Sequence, residues 1–292
     1  MTRGAARARC PALCLDPSGQ VTSSVARMSE DENWVLTTPA PPGVREAYGA
    51  APSQHVWIRR PAGAERLRTL VMIHGGYWRA AYDAEHIGHL CADLARRGWA
   101  TVALEYRRIG EAGGAWPGTL TDVSAALDAL PGLAAKHGLD LRRSVWMGHS
   151  AGGHLALWAL TRSSAPGALK RPGWRPRRVV GLAPVSDLVE ADRLELSRHV
   201  TLELLGGTAR EQAARYADGS PAAHLPLGVQ TVVIHGTKDN VVPLAMNRSF
   251  VDRARKAGDD IRLVMPEDAD HFDVIDPKSK VWAQVVDVLG TP

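Results

Sequence analysis

From Arg66 onward, short apolar runs alternate with stretches of helical periodicity. The runs Thr69–Ile73 (TLVMI), Ala100–Leu104 (ATVAL), Ser144–Met147 (SVWM), Val179–Ala183 (VVGLA), Thr231–Ile234 (TVVI) and Ile261–Met265 (IRLVM) are almost continuously hydrophobic. Strands buried on both faces read this way, whereas half-exposed strands alternate. The earlier run Gln54–Arg59 (QHVWIR) does alternate, and predicts an antiparallel edge strand. Between the runs, Ala84–Arg97 sets Ile87, Leu90, Cys91 and Leu94 on one helical stripe. Further helices are expected over Thr119–Lys136, Ala151–Thr161, Pro243–Lys256 and Lys278–Leu289. The first of these opens on Thr119-Leu120-Thr121-Asp122, a capping pattern. Strands alternating with helices predict an α/β class, with a mostly parallel twisted sheet of about eight strands and helices on both faces.

One segment breaks the alternation. Ser186 to Leu227 is too long for a connector between two strands, and it carries helical patterns over Leu194–Leu205 and Arg210–Ala217. A small helical lid over the carboxyl edge of the sheet accounts for residues 186–227. The expected organisation is an extension over residues 1–30, disordered or a transit peptide, followed by a single domain over 31–292. Met28 offers a second start within that extension.

Composition adjusts this picture in a few places. Of the 292 residues 45% are hydrophobic and 23% charged, as in a globular protein with ample core. No apolar stretch approaches the roughly 18 residues a membrane span needs, so no membrane partner is expected. The formal charge of +4 gathers at the amino terminus and in Lys170–Arg178. With only Trp174 to stack on bases, the second cluster reads as a solvated loop, and no nucleic-acid partner is expected. Cys10, Cys14 and Cys91 form no disulfide framework and no zinc spacing, which points to a reducing, cytoplasmic setting without a metal.

The chemistry lies at the strand ends. Gly148-His149-Ser150-Ala151-Gly152 is a G-x-S-x-G motif between a strand and a helix, the setting in which a serine projects from a sharp turn. His74-Gly75-Gly76-Tyr77-Trp78 follows the TLVMI strand, where such a loop supplies backbone donors to a developing oxyanion. The donors expected are the N–H groups of Gly76, Tyr77 and Ala151. Asp239 follows the strand TVVI and His271 the strand IRLVM. Ser150, Asp239 and His271 therefore succeed one another in nucleophile–acid–base order. Asp187 competes for the acid role, but it lies one strand early and suits a helix cap. His149 and His154 flank the nucleophile too closely to serve as base. His74 and His235 suit structural hydrogen bonds at strand ends. Tyr77, Trp78 and Trp116 are candidates for the substrate pocket.

HGGYW at 74–78, EYR at 105–107 and GHSAGGHLA at 148–156 resemble the kynurenine formamidase branch of the α/β hydrolases. They are also similar to bacterial esterases near the hormone-sensitive-lipase group. The resemblance implies the α/β-hydrolase fold over almost everything after residue 50, and a serine hydrolase needing no cofactor. HGGYW leans toward the formamidase branch, whereas Glu105 stands where that branch leads one to expect an aspartate. The first expectation is hydrolysis of carboxylic esters with short acyl chains through a Ser-His-Asp acyl-enzyme. The alternative is hydrolysis of N-formylkynurenine, and a catalytically silent binding protein is a third reading. The partner expected is a small ester or formamide, and the chain a monomer or homodimer.

Overall fold

The computed structural model describes residues 34–63, 67–161 and 174–290. The extension over residues 1–30, with Cys10 and Cys14, lies outside them, as does Lys170–Gly173 of the basic run. Two compact units divide the chain. In Met1–Thr38 the described residues form the short helix α1 (Trp34–Thr37). Pro39–Pro292 carries the whole sheet.

That sheet has eight strands: β1 (Val44–Ala47), β2 (His55–Arg59), β3 (Leu67–Ile73), β4 (Ala100–Leu104), β5 (Leu139–His149), β6 (Arg178–Leu182), β7 (Gln230–Ile234) and β8 (Ile261–Val264). Their order is β1-β2-β4-β3-β5-β6-β7-β8. Pairing is parallel from β4 onward, and β2 runs antiparallel to both its neighbours. The run at 54–59 is thus antiparallel as expected, but it is not the edge. β1 covers it, pairing Val44 with Ile58 and Ala47 with His55. The exposed sequence VREA of β1 shows no apolar period, which is why the pattern missed it.

The helices of this unit are α2 (Gly88–Arg96), α3 (Ala115–His137), α4 (Ala151–Trp158), α5 (Leu188–Arg193), α6 (Leu196–Leu205), α7 (Ala213–Gly219), α8 (Leu244–Lys256) and α9 (Trp282–Asp287). A 3₁₀ turn, Ala84–Ile87, precedes α2, and the stripe Ile87, Leu90, Cys91 and Leu94 is fully buried. α4 packs on β3, β5 and β6 from the end of the central strand. The capping pattern at Thr119 is not used, because α3 already begins at Ala115. Thr119 Oγ1 donates instead to the Arg107 carbonyl (2.6 Å). Asp122 accepts from Arg107 Nε and Nη2 at 2.8 and 2.7 Å and from Gln54 Nε2 at 2.8 Å. Its carboxylate ties α3 to the loop after β4.

The segment after β6 holds α5, α6, α7 and a 3₁₀ turn at Pro221–Ala223, so it is helical. Asp187 caps α5, accepting from the N–H groups of Val189 and Glu190, and pairs with Arg253 at 2.6 Å. At the start of α6, Glu195, Ser197, Arg198 and His199 all have φ between 46° and 60°. Four non-glycine residues in the left-handed region cost roughly 1–2 kcal/mol each. Tertiary contacts hold them there: Arg79 donates to Ser197 Oγ and to the Ser197 carbonyl, both at 3.0 Å, and grips Glu203 at 2.6 Å.

Candidate active site

Ser150 sits between β5 and α4 with φ 55° and ψ −118°, a conformation that L-residues avoid and that turns a strand abruptly into a helix. The elbow is held from several sides. The Ser150 N–H donates to the Leu182 carbonyl (2.8 Å), and the Ser150 carbonyl accepts from His154 (3.1 Å) and Val185 (3.2 Å). Two glycines are demanded by close approach. A Cβ on Gly152 would lie 2.1 Å from the Ile73 carbonyl oxygen, and one on Gly75 would lie 3.0 Å from Ser150 Cβ. The strand-end loop after β3 therefore lies directly against the serine.

In that loop Gly76, Tyr77 and Trp78 have φ of 99°, 53° and 56°. Among the described residues, the N–H groups of Gly76, Tyr77 and Ala151 donate to no protein acceptor. His74 anchors the loop: its two ring nitrogens face the Gly75 carbonyl (2.8 Å) and Glu105 Oε1 (2.9 Å), and its ring stacks on Tyr106 at 4.3 Å. Glu105 also accepts from the Ala84 and Tyr106 N–H groups and pairs with Arg108 at 3.2 Å. Burial works against its charge. The electrostatic pull and hydrogen bond of His74, followed by Arg108, outweigh that and bring its pKa down to about 2.

Asp239 and His271 meet across the ends of β7 and β8. His271 Nδ1 donates to Asp239 Oδ2 at 2.7 Å, while Oδ1 accepts from the N–H groups of Val241 and Val242 at 2.8 and 2.9 Å. Burial opposes ionisation of Asp239, but hydrogen bonds from His235 and His271 prevail and hold it well below the usual carboxylate range. His271 is 3% exposed and Ser150 2%. The Ser150 hydroxyl makes no direct hydrogen bond to His271.

Two residues that sequence reasoning set aside touch this pair. His149 Nε2 donates to the His271 carbonyl at 2.9 Å, and its ring lies 4.6 Å from that of His271. Burial first, then the neighbouring His271 and His86, push its pKa well below the ordinary value, so it stays neutral. His235 makes the expected structural bond, to the Val242 carbonyl (3.0 Å), but Nε2 also lies 3.2 Å from Asp239 Oδ2. The spacing of His235 and Asp239 around one strand-end turn was the signal that could have revealed the contact.

The pocket candidates divide. Trp78 has no exposed surface and stands edge-on to His154 with centroids 5.2 Å apart, so it is core beneath the loop rather than a pocket wall. Tyr77 and Trp116 are partly buried against the core. Trp116 Cζ3 lies 3.6 Å from a Cβ built on Gly219, which brings it against the helical insertion. Burial, with the Asp239 charge second, pushes the Tyr77 phenol up to about 12, and Ser197 of the insertion hydrogen-bonds to it. Trp174 is an anchor rather than a base-stacking platform, donating to the Leu127 carbonyl (2.7 Å) and packing edge-on to Trp146. No helix among the described residues is long and apolar enough to cross a membrane.

Known proteins similar to this chain are esterases. The chain is 30% identical over 222 residues to the probable carboxylic ester hydrolase LipM of Mycobacterium tuberculosis, covering 72% of this chain and 50% of that protein. Esterase LipQ of the same organism is 27% identical over 84% of this chain and 61% of its own length. The chain thus spans about half to three fifths of these curated relatives. Among solved structures, esterase 2 of Thermogutta terrifontis superposes with a TM-score of 0.67 at 24% identity, covering 85% of this chain and 90% of that one. Esterase B of Lactobacillus rhamnosis does so with a TM-score of 0.72 at 19% identity, covering 85% and 84%. Both share the α/β-hydrolase fold described above. The BD-FAE family model matches residues 58–253, two thirds of the sequence and all of β3 to β7, and the chain belongs to that family.

Proposed function

We propose that the protein hydrolyses carboxylic esters of short acyl chains through an acyl-enzyme on Ser150, with His271 as base and Asp239 as its orienting acid. The observation that carries this reading is the 2.7 Å bond from His271 to a buried, ionised Asp239, beside a serine held at φ 55°. With its Nδ1 proton committed to Asp239, His271 has Nε2 free to take the Ser150 proton and later to protonate the leaving alcohol. The attacked carbonyl oxygen becomes negative within reach of the N–H groups of Gly76, Tyr77 and Ala151. Each such donor lowers the barrier by about 2.7–4 kcal/mol. Water then repeats the attack on the acyl-serine, with His271 as base again.

The curated relatives named as esterases support the ester bond as target. Short acyl groups are supported by the Thermogutta esterase, whose structures carry bound butyrate and propionate. Tyr77 and Trp116 are proposed to border the acyl site beneath the insertion.

The test is steady-state hydrolysis of p-nitrophenyl acetate, butyrate and octanoate beside N-formylkynurenine, with Ser150→Ala as control. The expected result is turnover of acetate and butyrate that falls at least ~10⁴-fold in Ser150→Ala. Preference for the formamide would reassign the substrate, and wild type no faster than Ser150→Ala on all four would overturn the assignment.

A further inference from the structure

Asp239 Oδ2 is shared. It accepts from His271 at 2.7 Å and lies 3.2 Å from Nε2 of His235, a fully buried residue at the end of β7. Which nitrogen of His235 carries its proton follows from its other neighbour. Asn247, fully buried on α8, places Nδ2 2.8 Å from the Pro184 carbonyl and 2.8 Å from His235 Nδ1. The Pro184 carbonyl can only accept, so the atom facing it is the amide nitrogen, with two hydrogens to give. Its second hydrogen meets His235 Nδ1, which must then be a bare acceptor. The imidazole proton is left on Nε2, which donates to the Val242 carbonyl at 3.0 Å and lies 3.2 Å from Asp239 Oδ2. The relay starts beside the nucleophile: the residue after Pro184, Val185, donates to the Ser150 carbonyl at 3.2 Å.

We infer that His235, locked by Asn247 as the Nε2–H tautomer, is a positioning residue for the reaction: it fixes the Asp239 carboxylate so that Oδ2 faces the catalytic imidazole. The inference rests on the reading of Ser150, His271 and Asp239 as the catalytic set. Backbone donors from Val241 and Val242 secure Oδ1 alone. Without a second donor, Oδ2 is free to pivot about that anchor, and His271 follows it. A carboxylate that merely needed burial would not require a donor whose tautomer is set by a third residue.

Two measurements test this, and they separate it from the triad assignment. Nitrogen-15 NMR of the His235 ring in the wild-type protein reads the tautomer without reference to activity. A proton on Nε2 is expected, and a proton on Nδ1 overturns the inference even if the enzyme is active. Kinetics on p-nitrophenyl butyrate then compare His235→Leu, His235→Gln and Asn247→Leu with wild type and Ser150→Ala. His235→Gln retains a donor near the Nε2 position.

His235→Leu and Asn247→Leu should each lose about tenfold in kcat with KM within about twofold, the scale of one charge-assisted hydrogen bond. His235→Gln should recover most of the kcat. If wild type exceeds Ser150→Ala by orders of magnitude while His235→Leu keeps full kcat, or if His235→Gln is no better than His235→Leu, the positioning role is refuted and the triad stands. If Ser150→Ala turns over as fast as wild type, the triad assignment falls and the positioning role falls with it. Should His235→Leu fail to fold, Asn247→Leu and the tautomer still decide.

Discussion

Glu105 gives the sharpest prediction about how the loop behind Ser150 is held. Its carboxylate is almost wholly buried, and both oxygens are engaged. Oε1 gathers His74 Nε2 at 2.9 Å, the Tyr106 N–H at 3.1 Å and Arg108 Nη1 at 3.2 Å, while Oε2 takes the Ala84 N–H at 2.9 Å. Glu105→Gln keeps the shape but removes the charge and turns an amide N–H toward one of these donors. Depression of its pKa from the ordinary 4.5 to about 2 is equivalent to roughly 3 kcal/mol of folding free energy. Breaking a buried ion pair by removing one partner costs about 3–5 kcal/mol, which agrees. For a folded unit of this size, 3 kcal/mol lowers the melting temperature by about 6–12 °C.

The sign of the pH dependence follows from the same displacement. The native carboxyl gives up its proton more readily than the unfolded one, so the stabilisation is complete above about pH 4.5. It is lost as pH falls toward about 2, because the unfolded chain takes up the proton first. Melting of wild type and Glu105→Gln across pH 7 to 3 should show a constant gap near neutrality that narrows steadily below about pH 4.5. A gap under about 2 °C at pH 7, or one unchanged at pH 3, would refute the view that this carboxylate is held ionised by His74 and Arg108.

Gly152→Ala should abolish soluble expression or lower the melting temperature by more than the Glu105 variant. The new methyl would stand 2.1 Å from the Ile73 oxygen and 2.4 Å from the His74 oxygen, and the end of β3 cannot retreat, so wild-type stability would contradict it. Arg79→Ala should shift the melting temperature by less than about 2 °C, because the Arg79–Glu203 pair is partly exposed, its side chains 28% and 44% accessible. It should nonetheless speed proteolytic cleavage near Ser197–His199, where Arg79 holds the left-handed turn. Unchanged protection there would show that the turn is held by other contacts.

Much of the fold is legible in the chain because buried parallel strands advertise themselves. VMI, ATVAL and TVVI need no alternation, since helices cover both faces, and β4 runs over the very residues expected from its pattern. Ser150, Asp239 and His271 are legible for a related reason. Each follows a strand, and the ends of parallel strands lie on one edge of the sheet, so order along the chain becomes proximity in space. β1 was illegible because an exposed four-residue strand has no hydrophobic period to read.

What only the tertiary structure decided are relations between side chains far apart in sequence. Whether Trp78 lines a pocket or fills the core depends on His154, 76 positions along, standing edge-on to it. Glu105 in place of the expected aspartate makes sense once its carboxylate is seen spanning His74 and Ala84, at the two ends of the connection from β3 to the 3₁₀ turn. His235 gains its contact with Asp239 within one turn, but its tautomer is set by Asn247 on another helix and by the Pro184 carbonyl on another loop. Hydrophobic periodicity reports which way a residue faces relative to the core. The partner of a buried polar group is a matter of angstroms and of which atom holds the proton, and only packing of the whole sheet brings those atoms together.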